Sequence, residues 1–211
     1  GNIHLDLGGE LPEEHKKVGL AFFGDSESFF TLKGVIETLL YKLRVPEVSF
    51  RKGGAPCYQP GRGAEIYSGS TKLGELGQFH PDVLSGFSIK QPVYMAELDF
   101  EALHRTEKEE LTFEPLPRFP LVNRDLAVVV DNEQEAAYFM DVIRKAQSEL
   151  LVENVELFDV YRGAGVPLGK KSLAFTFSLR SPDHTLSEEE IRKAFDAIIE
   201  ALKNCGAPLR S

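Results

Sequence analysis

Asp159, Tyr161 and Ser172 are the residues whose types and spacing could do chemistry on an unpaired nucleobase. Asp159 and Tyr161 lie two apart in a β-rich run, Val155 to Tyr161, so their side chains share one face. Ser172 opens the next run, where Leu173, Phe175, Phe177 and Leu179 alternate with Ser172, Ala174, Thr176, Ser178 and Arg180. That is the pattern of a half-buried strand, and the phenylalanines must face its core. The intervening turn makes the two strands antiparallel neighbours. Phe158 and Val160 are then expected to pack inward, leaving Asp159, Tyr161 and Ser172 together on an open face. A phenol ring there offers stacking, on the order of 1–3 kcal/mol per base. A carboxylate accepts hydrogen bonds from a guanine Watson–Crick edge, and a hydroxyl donates or accepts. Arg162, Lys170 and Lys171 flank the same turn and could neutralise phosphates, with Arg180 at the far end of its strand. The plain alternative is a solvated strand face with an incidental tyrosine, and the pattern by itself leaves both open.

Around these residues the pattern predicts a β run over Asp125 to Val130 and a helix over Glu133 to Leu151. That helix carries Ala136, Phe139, Met140, Ile143, Ala146 and Leu150 at three- and four-residue steps. A last helix, capped by Thr185 or Ser187, buries Ile191, Phe195, Ile198, Ile199 and Leu202 and stops at Gly206. Ala207 to Arg210 could add a short final strand. The order β-α-β-β-α-β predicts a ferredoxin-like sandwich over 118–211.

Upstream, Pro115, Pro117 and Pro120 make 111–117 read as a stiff linker, because proline removes backbone donors and extends the preceding residue. Residues 1–110 are less legible. An amphipathic helix over Phe30 to Arg44 and strands at Val18–Phe23, Ala64–Ser68, Lys72–Gln78 and Val93–Phe100 predict a largely antiparallel sheet with helices on one face. The fold class is α+β.

Bulk properties narrow the function. A net charge of −9 argues against a broad phosphate-gripping surface. Any nucleic-acid contact must come from a local constellation. Cys57 and Cys205 have no ligand-like spacing and suggest a reduced, cytoplasmic setting. The run Gly165 to Ser172 fails as a phosphate-binding P-loop, since its first glycine would fall at Ala164 and Lys171 replaces the required hydroxyl residue. Gly61-Arg62-Gly63-Ala64-Glu65 reads as a hairpin turn rather than an active-site arginine motif. The five scattered histidines give no metal or nucleophile spacing. No catalytic residue and no metal site is expected.

Three phrases are more specific than any of this: Arg118-Phe119-Pro120-Leu121-Val122-Asn123-Arg124-Asp125-Leu126-Ala127, Leu157-Phe158-Asp159-Val160-Tyr161-Arg162-Gly163, and Gly169-Lys170-Lys171-Ser172-Leu173-Ala174-Phe175. They resemble the anticodon-binding domain of the bacterial phenylalanyl-tRNA synthetase beta chain. The resemblance implies that Asp159, Tyr161 and Ser172 contact the first anticodon base, a guanine in phenylalanine tRNA. Ser28 to Gly34, Pro60 to Ala64, Leu73 to Pro81 and Tyr94 to Asp99 resemble the central module of that chain. In the family this is a class II synthetase fold without catalytic residues that packs against the alpha subunit. The resemblance further implies a C-terminal portion of a longer chain within an alpha2-beta2 heterotetramer. ATP and Mg2+ then serve the whole enzyme, with the chemistry on the alpha subunit. The rival expectations are an oligomerisation module that buries its open sheet face against protein, and a catalytic synthetase core, disfavoured by the missing class II arginine motifs.

Overall fold

The computed structural model describes residues 1–5, 11–108, 110, 112–113, 116–146 and 151–210, with no side chain described for Leu151. The chain divides into two compact units, Gly1–Phe113 and Glu114–Ser211. Leu111, Glu114 and Pro115 of the proline-rich stretch lie outside the described residues.

In the first unit, helix α1 (Phe29–Lys42) starts where the Ser28 hydroxyl accepts the Thr31 N–H at 3.0 Å. Its stripe of Leu32, Ile36 and Leu40 is fully buried, because leucines and isoleucines at this spacing share one helix face. They meet Ile66, Leu73, Leu76, Ala96 and Leu98 from three strands, with Leu73 and Leu76 brought to one face across an irregularity in the β4–β5 register. The strands are β1 (Asn2–Leu5), β2 (Glu13–Phe23), β3 (Val48–Lys52), β4 (Tyr58–Ser68), β5 (Thr71–Phe79) and β6 (Val93–Asp99). They form one antiparallel sheet in the order β1-β2-β6-β5-β4-β3. Helices α2 (Pro81–Gly86) and α3 (Phe100–Arg105) complete the unit. Four elements were not assigned in the sequence reading: β1 and β3, whose alternation is confined to four and five residues, and the short helices α2 and α3, the first of them opening at His80-Pro81. There the imidazole Nδ1 accepts the Asp82 N–H at 3.2 Å, and proline's missing donor costs nothing at the first helical position.

The second unit has the order β7 (Val122–Asp131), α4 (Ala136–Lys145), β8 (Leu151–Tyr161), β9 (Lys170–Arg180), α5 (Glu188–Asn204). Its sheet runs β7-β9-β8, all antiparallel. Residues 208–210 return along the free edge of β7 with a single bridge, Val128 to Leu209, instead of a full strand. α4 is shorter than the expected 133–151. Leu151 and Val152 belong to β8, where Val152 packs on the core, and Leu150 lies outside the described residues. Leu126, Val128, Val130, Leu173, Phe175, Phe177 and Leu179 point from the sheet toward Phe139 and Ile143 of α4 and Ile191, Ala194, Ile198 and Leu202 of α5. The helices therefore cover one sheet face, and the strand positions in between line the other.

α5 is fixed by a capping box. The Ser187 N–H and Oγ donate to the Glu190 carboxylate at 2.8 and 2.6 Å, and the His184 Nε2 lies 2.7 Å from it. These donors hold the Glu190 carboxyl at about 2, below the ordinary 4.5, with the Ser187 contacts the largest cause. Folding then takes up protons less readily than the unfolded chain does, so the contribution is complete above the ordinary value and fades as pH falls from about 4.5 to about 2. Glu190→Gln is expected to flatten the acid side of the unit's stability profile over that window, as read by urea midpoints at successive pH values. An unchanged slope would remove the box as an acid-sensitive element.

Candidate nucleic-acid interface

Alternation in β9 assigns faces without ambiguity. Leu173, Phe175 and Phe177 go to the core, so Ser172, Ala174 and Thr176 go to the open side. Tyr161 pairs directly with Ser172, and Asp159 pairs with Ala174. Directly opposed residues share a face, so Asp159, Tyr161 and Ser172 stand side by side on the open surface.

What puts Asp159 there is a β-bulge. Leu157 pairs with core-facing Phe175, yet the next rung pairs Asp159 with Ala174, leaving Phe158 as an extra residue. With regular pairing Phe158 would take the place opposite Ala174, and Asp159 would be driven toward the core. The bulge corrects one expectation. Phe158 was expected to pack inward but is the extra residue and 57% exposed, and Leu157 supplies the packing instead; Val160 does pair with core-facing Leu173, yet on this edge strand it stays 41% exposed.

Ser172 also differs from expectation. It is only 2% exposed, flanked by Tyr161 on one side and Val129 on the other. Among the described residues neither its hydroxyl nor the exposed Asp159 carboxylate has a hydrogen-bond or ion-pair partner. Asp159 is thus an acceptor with its lone pairs free, placed next to a ring and a recessed hydroxyl.

The basic residues separate. Arg162 and Lys170 stay at the exposed rim, where the Arg162 Nε donates to Asn132 Oδ1 at 3.4 Å and the Lys170 ammonium pairs with Asp131 at 2.8 Å. Lys171 does not join them. It pairs with core-facing Val130, is buried, and donates its ammonium to the Asn132 carbonyl at 2.9 Å. Burial, helped by the Arg162 charge, holds its pKa below the ordinary lysine value. Lys171, expected beside a phosphate, has its ammonium engaged by the backbone of the turn that follows β7. Arg180, eight residues along the strand, lies 3.1 Å from the Glu153 carboxylate and is remote from the triplet.

Two residues at the site had no visible signal in the sequence. Gly163 lets the turn fold against the tyrosine: a Cβ there would meet the Tyr161 hydroxyl at 2.6 Å and Cζ at 2.8 Å. Arg210 lies over the Tyr161 ring, its guanidinium carbon 4.7 Å from the ring centre, a cation–π contact. Neither is detectable by local periodicity, because both depend on contacts made only after folding. Among the described residues no cluster of three or more histidine, cysteine or acidic side chains could hold a metal ion. The site can bind through stacking, acceptor lone pairs and rim charge.

Comparisons with known proteins identify the two units. Residues 117–210 match the ferredoxin-fold anticodon binding domain, and residues 1–100 match the phenylalanyl tRNA synthetase beta chain CLM domain. The chain is 45% identical to the phenylalanine–tRNA ligase beta subunit of Moorella thermoacetica, over 100% of this chain and 28% of that protein. The same subunit of Symbiobacterium thermophilum is 40% identical over 97% of this chain and 24% of its own length. That of Clostridium tetani is 38% identical over 95% and 25%. The chain thus spans about a quarter of the length of these relatives. With both family domains found in order and relatives aligned along nearly all of it, the chain belongs to the phenylalanine–tRNA ligase beta-subunit family.

Proposed function

We propose that the second unit reads the anticodon of phenylalanine tRNA, within a ligase that charges that tRNA using ATP and Mg2+. Asp159 accepts hydrogen bonds from the Watson–Crick edge of the first anticodon base, a guanine, while Tyr161 stacks and Ser172 completes the edge contact. Arg162 and Lys170 supply rim charge to the adjoining phosphates. The observation that carries this reading is the shared open face of Asp159, Tyr161 and Ser172, with the aspartate's acceptors free. Guanine presents two adjacent donors, N1–H and N2–H, to an acceptor-only carboxylate, whereas adenine presents one donor beside an acceptor, so the acid itself is the source of preference.

The first unit serves subunit packing against the alpha subunit, where the activation and transfer chemistry takes place, in an alpha2-beta2 assembly of the cytoplasm. Phe23, Phe30, Tyr41 and Phe87 of this unit are each more than two-thirds exposed, as an apolar surface awaiting protein would be. No helix among the described residues is long and apolar enough to cross a membrane.

The test is a titration of labelled anticodon stem-loops carrying guanine or adenine at the first position. Wild type is expected to prefer guanine, and Asp159→Ala to lose about 1–3 kcal/mol of that preference, the value of one well-made edge contact. A variant that retains the full preference would take Asp159 out of the reading role.

A further inference from the structure

The C-terminal segment brings a cation onto the same face. Val129 N–H donates to the Pro208 carbonyl at 2.9 Å and Arg210 N–H donates to the Ala127 carbonyl at 2.8 Å, on either side of the Val128–Leu209 bridge. Val128 faces the core, so Leu209 does too, and Arg210 shares the open face with Ala127. Ala127 is paired with Ala174, and Ala174 with Asp159. One rung across the sheet therefore reads Asp159, Ala174, Ala127, Arg210. The next rung reads Tyr161, Ser172, Val129. Two methyl groups make a low floor, bounded by the carboxylate at one end and the arginine at the other. The arginine side chain crosses this floor to cover the Tyr161 ring.

One face of the ring is thus already occupied by the guanidinium, and Ser172 beside it is almost wholly covered. Arg210 has no carboxylate partner among the described residues; its guanidinium lies over the ring and near Gly165, where an added Cβ would stand 3.9 Å from Nη2. Exchange of a guanidinium for a base on one aromatic face is cheap, since both bind the ring through its π-electrons. A guanidinium released there finds its natural partner in the phosphate that arrives with the base.

We propose that Arg210 is a further RNA-contacting residue: it holds the Tyr161 ring face until a base displaces it, then pairs with a phosphate of the incoming strand. The partner chemistry is single-stranded RNA with a stackable base. This inference rests on the anticodon reading of the same face but assigns Arg210 a different task, sequence-independent binding, where Asp159 carries preference.

The experiment measures stem-loop affinity of Arg210→Ala and Arg210→Lys against salt, with guanine and with adenine at the first position. Arg210→Ala is expected to weaken both about tenfold, the low end for a charge-assisted hydrogen bond. It should also reduce the slope of log K against log salt by about 0.7, the single-strand value for one phosphate. Arg210→Lys should restore most of the slope. The backbone pairing of 208–210 does not use the side chain, and a circular-dichroism melt confirms that the variant is folded. Unchanged affinity and slope in Arg210→Ala, or tighter binding, would overturn the proposal. The two readings come apart cleanly. Loss of slope together with an Asp159→Ala variant of unaltered preference would leave Arg210 as an RNA contact and remove the triplet. Loss of preference in Asp159→Ala with an unaltered Arg210→Ala slope would do the reverse.

Discussion

Alanine at Gly74 is expected to destabilise the first unit by about 3 kcal/mol or more, at the upper end of overpacking costs. Gly74 sits in β5 between β4 and β6, paired with Ile66 on one side and Leu98 on the other. A Cβ built there would lie 2.2 Å from the Glu97 carbonyl oxygen and 2.8 Å from the Leu98 Cα. Both obstacles are backbone of the neighbouring strand, so no rotamer change relieves them. The β5–β6 ladder would have to open beside Leu98, Leu73 and Leu76, all fully buried. Gly34 provides the control. It lies inside α1 with nothing within 4 Å of its Cβ direction, so Gly34→Ala should stabilise by about 1 kcal/mol through helix propensity alone. Amide hydrogen exchange along β5 and β6 distinguishes the two variants. Faster exchange is expected for Gly74→Ala, and a protected ladder in that variant would show that the sheet takes up the methyl group without opening.

The distinction between what the sequence reveals and what only the fold reveals falls on particular residues. The β-α-β-β-α order was legible because the helix stripes through Phe139 and Ile143 and through Ile191 and Ile198, and the alternation from Ser172 to Arg180, are each strong, local and of different period. The faces of Asp159, Tyr161 and Ser172 were legible for the same reason, once Phe175 and Phe177 are assigned to the core. The bulge was not. Leu157 and Phe158 are both apolar, so either could have been the inward residue, and a period-two pattern does not reveal one inserted position. The length of α4 was hidden by a similar coincidence, since Leu151 and Val152 extend a helical stripe as readily as they begin a strand. The burial of Ser172 and of Lys171 comes from partners 43 and 41 positions away, Val129 and Val130 on β7, which no local pattern announces. Arg210 is more remote still, a lone basic residue at the end of a chain whose net charge is −9. Its importance lies in being carried by two backbone hydrogen bonds onto the face where the acidic and aromatic side chains already stand.

Phe175→Ala is expected to cost the second unit about 3–5 kcal/mol, the range for removing a buried phenylalanine from a core that cannot fully collapse. Phe175 is completely buried, and its rung joins Leu126 on β7 to Leu157 on β8. It stands on the core side directly before the bulge that turns Asp159 outward. The lost contacts therefore weaken the strand pairing that positions the acid, not only the packing against the helices. Phe139, Ile143 and Ile198 lie in the same core cluster, and rigid neighbours of that kind leave a cavity rather than close it. Urea unfolding measures the stability loss, and the guanine-over-adenine titration at low denaturant measures the positional one. If the bulge is held by this core, the preference for guanine should fall along with the midpoint, whereas a distant core deletion of equal cost, such as Leu202→Ala at the end of α5, should lower the midpoint and spare the preference. Equal effects of the two deletions on preference would mean that the bulge is set by the turn at Gly163–Gly169 and not by the residue beneath it.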